Sequence, residues 1–197
     1  MNPLPILSDR NPFATRYVRP GAIAFRFEPG IDAQGVADRL AAAGWRGQIV
    51  GPHGSGKSTL LATLVPVIES AGWHPLLITL HQGDRRLPVR LDRRSNLPEP
   101  AIIVVDGYEQ LGPWHRWQLV RLCRRRGFGL LATAHRPVGL PTIFETSTTA
   151  QLAQQIVTEL AGASIVIDPA EIVARFHRHG GNLRELLFDC YDLYRRR

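Results

Sequence analysis

The sequence predicts an α/β fold of three layers, with a mostly parallel five-stranded sheet and a small helical lid at the C-terminus. Short apolar runs alternate with helical patterns from residue 48 to residue 145, which is typical of parallel strands joined by helices on both faces of the sheet. From Ser147 onward the pattern is purely helical. We therefore divide the chain into an irregular N-terminal arm (1–30), a core (31–147) and a helical lid (148–197).

The individual elements follow from periodicity and from capping residues. The predicted strands are 48–50, 75–80, 101–105, 129–133 and 142–145. The predicted helices are 32–44, 57–71, 113–126, 149–161, 169–179 and 182–194. Asp32 is the expected N-cap of the first helix. The second strand is expected to be buried, and the polar stretch 82–100 is expected to form an exposed loop.

Two further features of the chain carry structural expectations. The arm contains five prolines in its first thirty residues, so we expect at most one strand there, at 22–27. Trp114 and Trp117 lie three residues apart on a predicted helix. Because large apolar side chains at this spacing usually line a core, we expect them at the core edge rather than on an interaction surface.

The composition is that of a globular protein. The 197 residues are 44% apolar and 21% charged, which fits one core of ordinary size and excludes wholesale disorder. The sequence has neither the long apolar run of a membrane span nor a secretory signal at its start, so we expect a cytoplasmic protein with no membrane partner. Cys123 and Cys190 fall in helical patterns and are expected to be reduced core thiols.

The net charge of +7 suggests a nucleic-acid partner. However, all but one of the 24 basic residues are arginine, a bias that also indicates a codon-biased genome. The one lysine is Lys57, inside a glycine-rich loop. A slim ammonium reaches between phosphates where a wide guanidinium fits badly, so this lysine points to a specific role.

The glycine-rich loop carries the main functional signal. Residues 51–58, GPHGSGKS, match the pattern G-x-x-x-x-G-K-[ST] between a predicted strand and a predicted helix. Glycines let successive backbone amides point at phosphate oxygens, and the following helix presents its positive end to the same anion. Lys57 would bridge the outer phosphates of ATP, and Ser58 would hold Mg²⁺. The residues predicted to bind the nucleotide are Gly51, Pro52, His53, Gly54, Ser55, Gly56, Lys57, Ser58 and Thr59.

A second candidate site contains the aspartate that ends the segment AIIVVD, residues 101–106. Asp106 ends this apolar strand about fifty residues after the loop and is predicted to orient the water shell of Mg²⁺. Hydrolysis also needs a group that activates water. Glu109 is the first candidate, with an exposed loop carboxylate as the alternative. His81 and Asp84, after the preceding strand, are further candidates.

Four segments together resemble the AAA+ ATPases and their close relatives among the P-loop NTPases. They are GPHGSGKS, AIIVVD, GLLATAHR and HGGNLRELL, and the resemblance covers residues 11–197. It implies that Arg184 contacts the outer phosphates. The alternative is a helix capped by Asn182, with Arg184 in solvent. It also implies that Thr133 or His135, at the end of the fourth strand, senses the terminal phosphate, and that Phe13 or Tyr17 packs near adenine.

Three departures from the family pattern accompany this resemblance. Gly107 stands where the family usually has an acid after the magnesium aspartate, which argues against fast hydrolysis. Only residues 136–141 separate the last two strands, so Arg136 would have to serve as an arginine finger, unless it is a surface residue. The loop 82–100 replaces an expected helix. These departures favour a monomeric or dimeric switch over a ring-forming motor.

Three hypotheses of function remain at this point. The first is an ATP-binding protein, a slow or partner-stimulated ATPase in which the Mg-ATP state controls the helical lid and an unidentified protein partner. The second is a small nucleoside- or nucleotide-kinase-like enzyme, with residues 85–94 as its lid. The third, which the sequence does not favour, is an ATP-gated nucleic-acid-binding protein that uses the arginines of 85–94, 124–126 and 195–197. The absence of an Asn-Lys-x-Asp segment favours ATP over GTP.

Overall fold

A computed structural model describes residues 11–88, 97–162 and 167–196 of the chain. It contains five strands: β1 (Arg46–Val50), β2 (His74–Thr79), β3 (Ala101–Asp106), β4 (Gly129–Ala134) and β5 (Thr142–Glu145). Its helices are α1 (Thr15–Val18), α2 (Ala33–Ala42), α3 (Lys57–Ser70), α4 (Pro113–Arg126), α5 (Ala150–Ala161), α6 (Pro169–Arg178) and α7 (Leu183–Arg195), with a 3₁₀ turn at Tyr108–Gln110. Part of the expected arm and of the loop 82–100 lies outside the described residues.

The five strands form one parallel sheet in the order β2-β3-β4-β1-β5. The predicted five-stranded parallel sheet is therefore confirmed. One detail of the prediction was wrong. The strand predicted as buried at 75–80 is β2, which lies at the sheet edge, and its Leu77 is 52% exposed. An apolar run does not distinguish a central strand from an edge strand that is covered on one face.

Helices cover both faces of the sheet, as the sequence predicts. Alternate residues of a strand point to opposite faces, and the strand side chains divide accordingly. Ile102 and Val104 of β3 pack in a cluster with α2 and α3 residues. Ile103 and Val105 of the same strand pack in a second cluster with Leu119 of α4. The result is the expected three-layer arrangement.

The C-terminal helices α5, α6 and α7 build a third apolar cluster of their own. Phe13 of the N-terminal arm is 1% exposed and belongs to this cluster. Beside it, the side-chain amide of Asn11 donates to the Tyr191 carbonyl at 3.0 Å. The arm thus packs on the C-terminal helices. The strand expected at 22–27 is not formed, since the only bridge there joins Pro20 and Ile23.

Two helix starts have the capping side chain that the sequence suggests. Asp32 Oδ1 accepts a hydrogen bond from the Gly35 amide at 2.8 Å. Asn182 Oδ1 accepts from the amides of Arg184 and Glu185, at 3.1 and 3.3 Å. Within the described part of the chain, no helix is long and apolar enough to cross a bilayer.

Candidate functional site

The parallel register brings four polar segments to one edge of the sheet. Val50, the last residue of β1, pairs with Ala134 of β4 and Glu145 of β5. Asp106 ends β3, beside β4 in the sheet. Because parallel strands end at the same edge, the loop after β1 therefore meets the carboxyl ends of β3, β4 and β5.

The glycine-rich loop wraps tightly at this edge. Ser55 is buried, and its hydroxyl lies 2.8 Å from the Pro52 carbonyl and 2.6 Å from the Thr146 hydroxyl beyond β5. A Cβ at Gly51 would overlap Thr146, so only glycine fits there. Gly54 and Gly56 have φ values of 69° and 88°, the left-handed region that glycine adopts without strain.

The helix after the loop has an N-terminus that no side chain caps. Gly56 is the N-cap of α3 and provides no side-chain hydrogen bond, whereas α2, α5, α6 and α7 each have a capping side chain. The first amides of any helix lack partners within it. The start of α3 therefore offers unpaired donors and a positive dipole end to an anion.

Lys57 turns back onto the loop. Its Nζ donates to the carbonyl oxygens of Gly51 and Pro52, both at 2.7 Å, and lies 3.2 Å from Nδ1 of His135. Burial lowers the pKa of Lys57, while the carboxylates of Glu109 and Asp106 raise it in opposition. The ammonium is thus held in the loop by neutral acceptors, in a site whose nearby charges are negative.

His135 joins Lys57 to Glu109. Its Nε2 lies 2.8 Å from Oε1 of Glu109, and its Nδ1 faces the Lys57 ammonium. An ammonium can only donate, so the proton of neutral His135 belongs on Nε2. Nδ1 also lies 3.3 Å from the Gly51 carbonyl, which already accepts from Lys57. Burial and the charge of Lys57 lower the pKa of His135.

Gly107, directly after Asp106, has no carboxylate. Glu109 supplies the carboxylate near the loop instead. Its Oε2 is buried and has no hydrogen-bond partner among the described residues. Gly107 has φ 82°, and a Cβ there would come within 2.7 Å of the Leu80 carbonyl. A side chain at 107 would therefore be strained. The 3₁₀ turn that follows brings the carboxylate of Glu109 to the site instead.

Asp106 and Thr133 form the acidic end of the site. The Thr133 hydroxyl donates to Asp106 Oδ1 at 2.5 Å and accepts from the Gly107 amide at 2.9 Å. Thr133 is fully buried, so its hydroxyl fixes one carboxylate oxygen of Asp106. Ser58 lies in the first turn of α3. The oxygen ligands of Asp106 and Ser58 are of the kind that Mg²⁺ prefers.

The C-terminal helices reach the loop through the start of α7. A Cβ at Gly54 would overlap the side-chain amide of Asn182 and would lie 3.2 Å from the Arg184 amide. Arg184 itself is exposed, with its guanidinium 5.6 Å from the Phe188 ring centroid. The structure thus shows the helix cap by Asn182 with Arg184 exposed, and it also brings the backbone amide of Arg184 close to Gly54 of the phosphate loop.

Other predicted residues lie elsewhere. Phe13 is buried among the C-terminal helices and Tyr17 is 43% exposed, while Phe25 of the arm lies 3.3 Å from a Cβ built on Gly56. The aromatic neighbour of the loop is therefore Phe25, which sequence reasoning missed. Arg136 is exposed after β4. His81 and Asp84 are exposed and bond to each other, the His81 amide donating to Asp84 Oδ2 at 2.8 Å.

Sequence reasoning also missed the histidine pair at the site. His53 of the loop and His135 have ring centroids 3.5 Å apart. The expectation for Trp114 and Trp117 was wrong, because they are 62% and 49% exposed. Their helical spacing was read correctly as one face, but that face points away from the sheet.

Solved structures share this architecture. The Orc1 protein of Aeropyrum pernix, in complex with DNA, matches with a TM-score of 0.64 and 18% identity over 94% of this chain. Cdc6p from Pyrobaculum aerophilum matches with a TM-score of 0.58 and 15% identity over 84%. The replication initiator DnaA, bound to AMPPCP and single-stranded DNA, matches with a TM-score of 0.52 and 12% identity over 84%. All three are AAA+ ATPases.

The chain has the AAA+ fold. At these identities the likeness is one of fold, and this chain spans 64% of the Orc1 chain and 61% of each of the other two. No protein-family model and no curated protein matches the sequence. The AAA+ fold agrees with the resemblance that the four sequence segments carry.

Proposed function

We propose that this protein binds Mg-ATP at residues 51–59 and hydrolyses it slowly, or only when a partner stimulates it, with the nucleotide state controlling the C-terminal helices. The observation that carries the proposal is the contact between the phosphate loop and the start of α7, where Gly54 packs against Asn182. This contact would couple occupancy of the loop to the position of α7, because a shift of the loop at Gly54 would disturb its packing against Asn182.

The residues present fit a nucleoside triphosphate. The uncapped start of α3 and the left-handed glycines of the loop supply inward amide donors. Lys57 supplies the positive charge, and a phosphate oxygen is a better partner for its ammonium than the neutral carbonyls of Gly51 and Pro52 that it now contacts. Burial of Lys57 strengthens that electrostatic preference.

The same edge fits a magnesium ion. Ser58 and Asp106 would hold it, and the Thr133 hydroxyl would keep Asp106 in position. The described residues contain no cluster of three His, Cys, Asp or Glu side chains, so the ion would rely on few protein ligands together with phosphate and water, as Mg²⁺ usually does. When bound, it would neutralise charge on the outer phosphates.

Glu109 and His135 supply the acid–base groups. In the proposal, movement of Lys57 towards phosphate releases Nδ1 of His135, while the contact between His135 Nε2 and Glu109 Oε1 orients the carboxylate. The second oxygen of Glu109, buried and without a partner among the described residues, would accept a proton from the attacking water. Thr133 or His135 would sense the terminal phosphate, and Arg184 would contact the outer phosphates from α7.

The kinase-like alternative stays open, because residues 89–94 of its proposed lid lie outside the described residues. The two functions differ in one measurable respect. A kinase transfers the terminal phosphoryl group of Mg-ATP to its acceptor and frees little phosphate, whereas the proposed ATPase transfers that group to water and releases phosphate.

Steady-state phosphate release from Mg-ATP tests the proposal. Glu109→Gln keeps the size of the side chain and removes the base, so we expect release to fall by about 100-fold or to background, with ATP binding retained. Glu69→Gln, an exposed carboxylate at the end of α3, is the matched control and should behave as wild type. ATP binding without release in all three proteins would reject unstimulated hydrolysis, and phosphoryl transfer to an added nucleoside or nucleotide would then reject the ATPase in favour of the kinase. Equal release by wild type and Glu109→Gln would reject Glu109 as the base.

A further inference from the structure

The outer face of α4 carries a pair of exposed tryptophans. Trp114 is 62% and Trp117 is 49% exposed, and their rings stack with centroids 4.9 Å apart at 22°. The guanidinium of Arg121 continues the stack, 5.1 Å from the Trp117 ring centroid. Large aromatic side chains are seldom left in water without a reason. Trp114, Trp117 and Arg121 thus follow one another along successive turns of α4. Their flat groups form a surface on which a flat ligand could stack.

The same face is strongly basic. Arg124 and Arg125 are exposed at the end of α4, and within the described residues neither has an acidic partner. The helix sequence, PWHRWQLVRLCRRR, contains no Asp or Glu. The stacked indoles are therefore followed by positive charges that no carboxylate of the helix neutralises.

Basic residues also lie in the segment next to the start of α4. The Arg85 carbonyl accepts a hydrogen bond from the Gly112 amide, at the N-cap of α4, at 3.2 Å. Arg85 and Arg86 are both exposed. The nearby acid, Asp84, accepts a hydrogen bond from the His81 amide. The aromatic pair thus lies between two positively charged segments.

We propose that this face of α4, with Arg85 and Arg86, binds single-stranded nucleic acid. Unpaired bases would stack on Trp114 and Trp117, and the arginines would contact the phosphates on either side. A duplex keeps its base faces inside its own stack and would leave the indoles without partners. An acidic peptide would satisfy the arginines but has no flat rings to match the indole pair. The proposal does not depend on nucleotide binding at the phosphate loop.

Fluorescence anisotropy with fluorescein-labelled oligo(dT) tests the aromatic part. Each base stacked on an aromatic side chain contributes enough that Trp114→Ala and Trp117→Ala should each weaken binding by about fivefold or more. The control is Tyr17→Ala, because Tyr17 is also exposed and has the Arg16 guanidinium 4.8 Å from its ring centroid. It should bind as wild type. Circular dichroism checks that the variants fold, as substitutions of exposed side chains should allow.

Salt dependence tests the basic part. If both contact phosphates, Arg124→Ala with Arg125→Ala should reduce the slope of log K against log salt by about 1.4. The matched double variant, Arg195→Ala with Arg196→Ala, removes the same charge from the exposed end of α7 and should keep the wild-type slope. No binding of oligo(dT) at low salt would overturn the proposal. Tryptophan variants that bind like wild type, or equal affinity for a duplex or for poly-L-glutamate, would overturn it too.

Discussion

His135, directly after β4, has a pKa that depends on two residues distant in the sequence. Lys57, Glu109 and His135 meet because β4 lies between β1 and β3 in the sheet. Lys57 follows β1, Glu109 follows β3 and His135 follows β4. The ammonium at Nδ1 opposes protonation of the imidazole, and the carboxylate at Nε2 favours it. Burial has the largest effect and also opposes protonation, so the pKa of His135 lies below its ordinary value.

The low pKa of His135 can be measured directly. An NMR titration of the histidine ring protons, assigned with His135→Asn, should give a midpoint below 6.5. Lys57→Met removes a positive neighbour and should raise the pKa. Glu109→Gln removes a negative one and should lower it. A midpoint above 6.5, or shifts of both variants in the same direction, would contradict the arrangement.

The same shift has a consequence for stability. Because the pKa of His135 is lower in the folded protein than in the unfolded chain, the unfolded chain binds the proton first as the pH falls below about 6.5. The free energy of unfolding should therefore fall in that range. Urea denaturation at a series of pH values should show this loss, and His135→Asn should reduce its slope.

The sequence predicted where the two continuous motifs of the candidate site lie in the fold. The loop 51–58 and the strand ending in Asp106 are local patterns, and both took the expected strand–loop–helix and strand-end positions. The contact of Phe25 with the loop and the link from Lys57 through His135 to Glu109 depend on which strands are neighbours. That order is a property of the whole sheet, so single segments could not predict it.

Among the elements, α7 connects the C-terminal helices to the phosphate loop. Asn182 caps α7 with its Oδ1 and lies against Gly54. Its counterpart in α6 is Asp168, whose Oδ1 accepts from the Ala170 amide at 2.9 Å. Both residues thus cap a helix of the same apolar cluster. Of the two, Asn182 is the one that contacts Gly54 of the phosphate loop.

Substitution of these two caps separates stability from nucleotide binding. Asn182→Ala and Asp168→Ala should each lower the free energy of unfolding by about 1 kcal/mol, as measured by urea denaturation. Only Asn182→Ala should also weaken binding of a fluorescent ATP analogue, since it alters the packing of Gly54. Equal effects of both variants on binding would mean that α7 does not influence the loop.

Periodicity predicted the bounds of most helices and strands to within about two residues. It did not predict which side of each helix is buried. α4 and β5 have the predicted bounds, Pro113–Arg126 and Thr142–Glu145. Periodicity also placed Trp114 and Trp117 on one side of α4. It did not reveal that Leu119 and Cys123 supply the buried side, because the identity of a packing partner is not encoded in a single helix.

At the scale of the molecule, two separate cores contain one cysteine each. Cys123 lies in the cluster between α4 and the sheet, and Cys190 in the cluster of the C-terminal helices. Burial raises the pKa of both thiols to about 12, so little thiolate forms near neutral pH. Their reactions with a thiol reagent therefore report the opening of each core independently.

Labelling of these thiols tests whether nucleotide tightens the C-terminal helices. The variant Cys123→Ala keeps only the thiol of Cys190, and Cys190→Ala keeps only that of Cys123. In the folded state each should react with Ellman's reagent far more slowly than the same chain unfolded in guanidinium. Mg-ATP should slow the labelling of Cys190 further and leave that of Cys123 less affected. If both thiols respond equally to Mg-ATP, the nucleotide stabilises the whole protein and does not act specifically on the C-terminal helices.

Isothermal titration calorimetry measures whether the phosphate loop binds Mg-ATP through Lys57. Wild type should bind Mg-ATP at a single site, and Arg178→Ala, an exposed arginine at the end of α6, should match it. Lys57→Ala should bind at least about tenfold more weakly, because it loses a charged hydrogen bond to phosphate. Wild type that does not bind, or Lys57→Ala that binds equally well, would contradict the account.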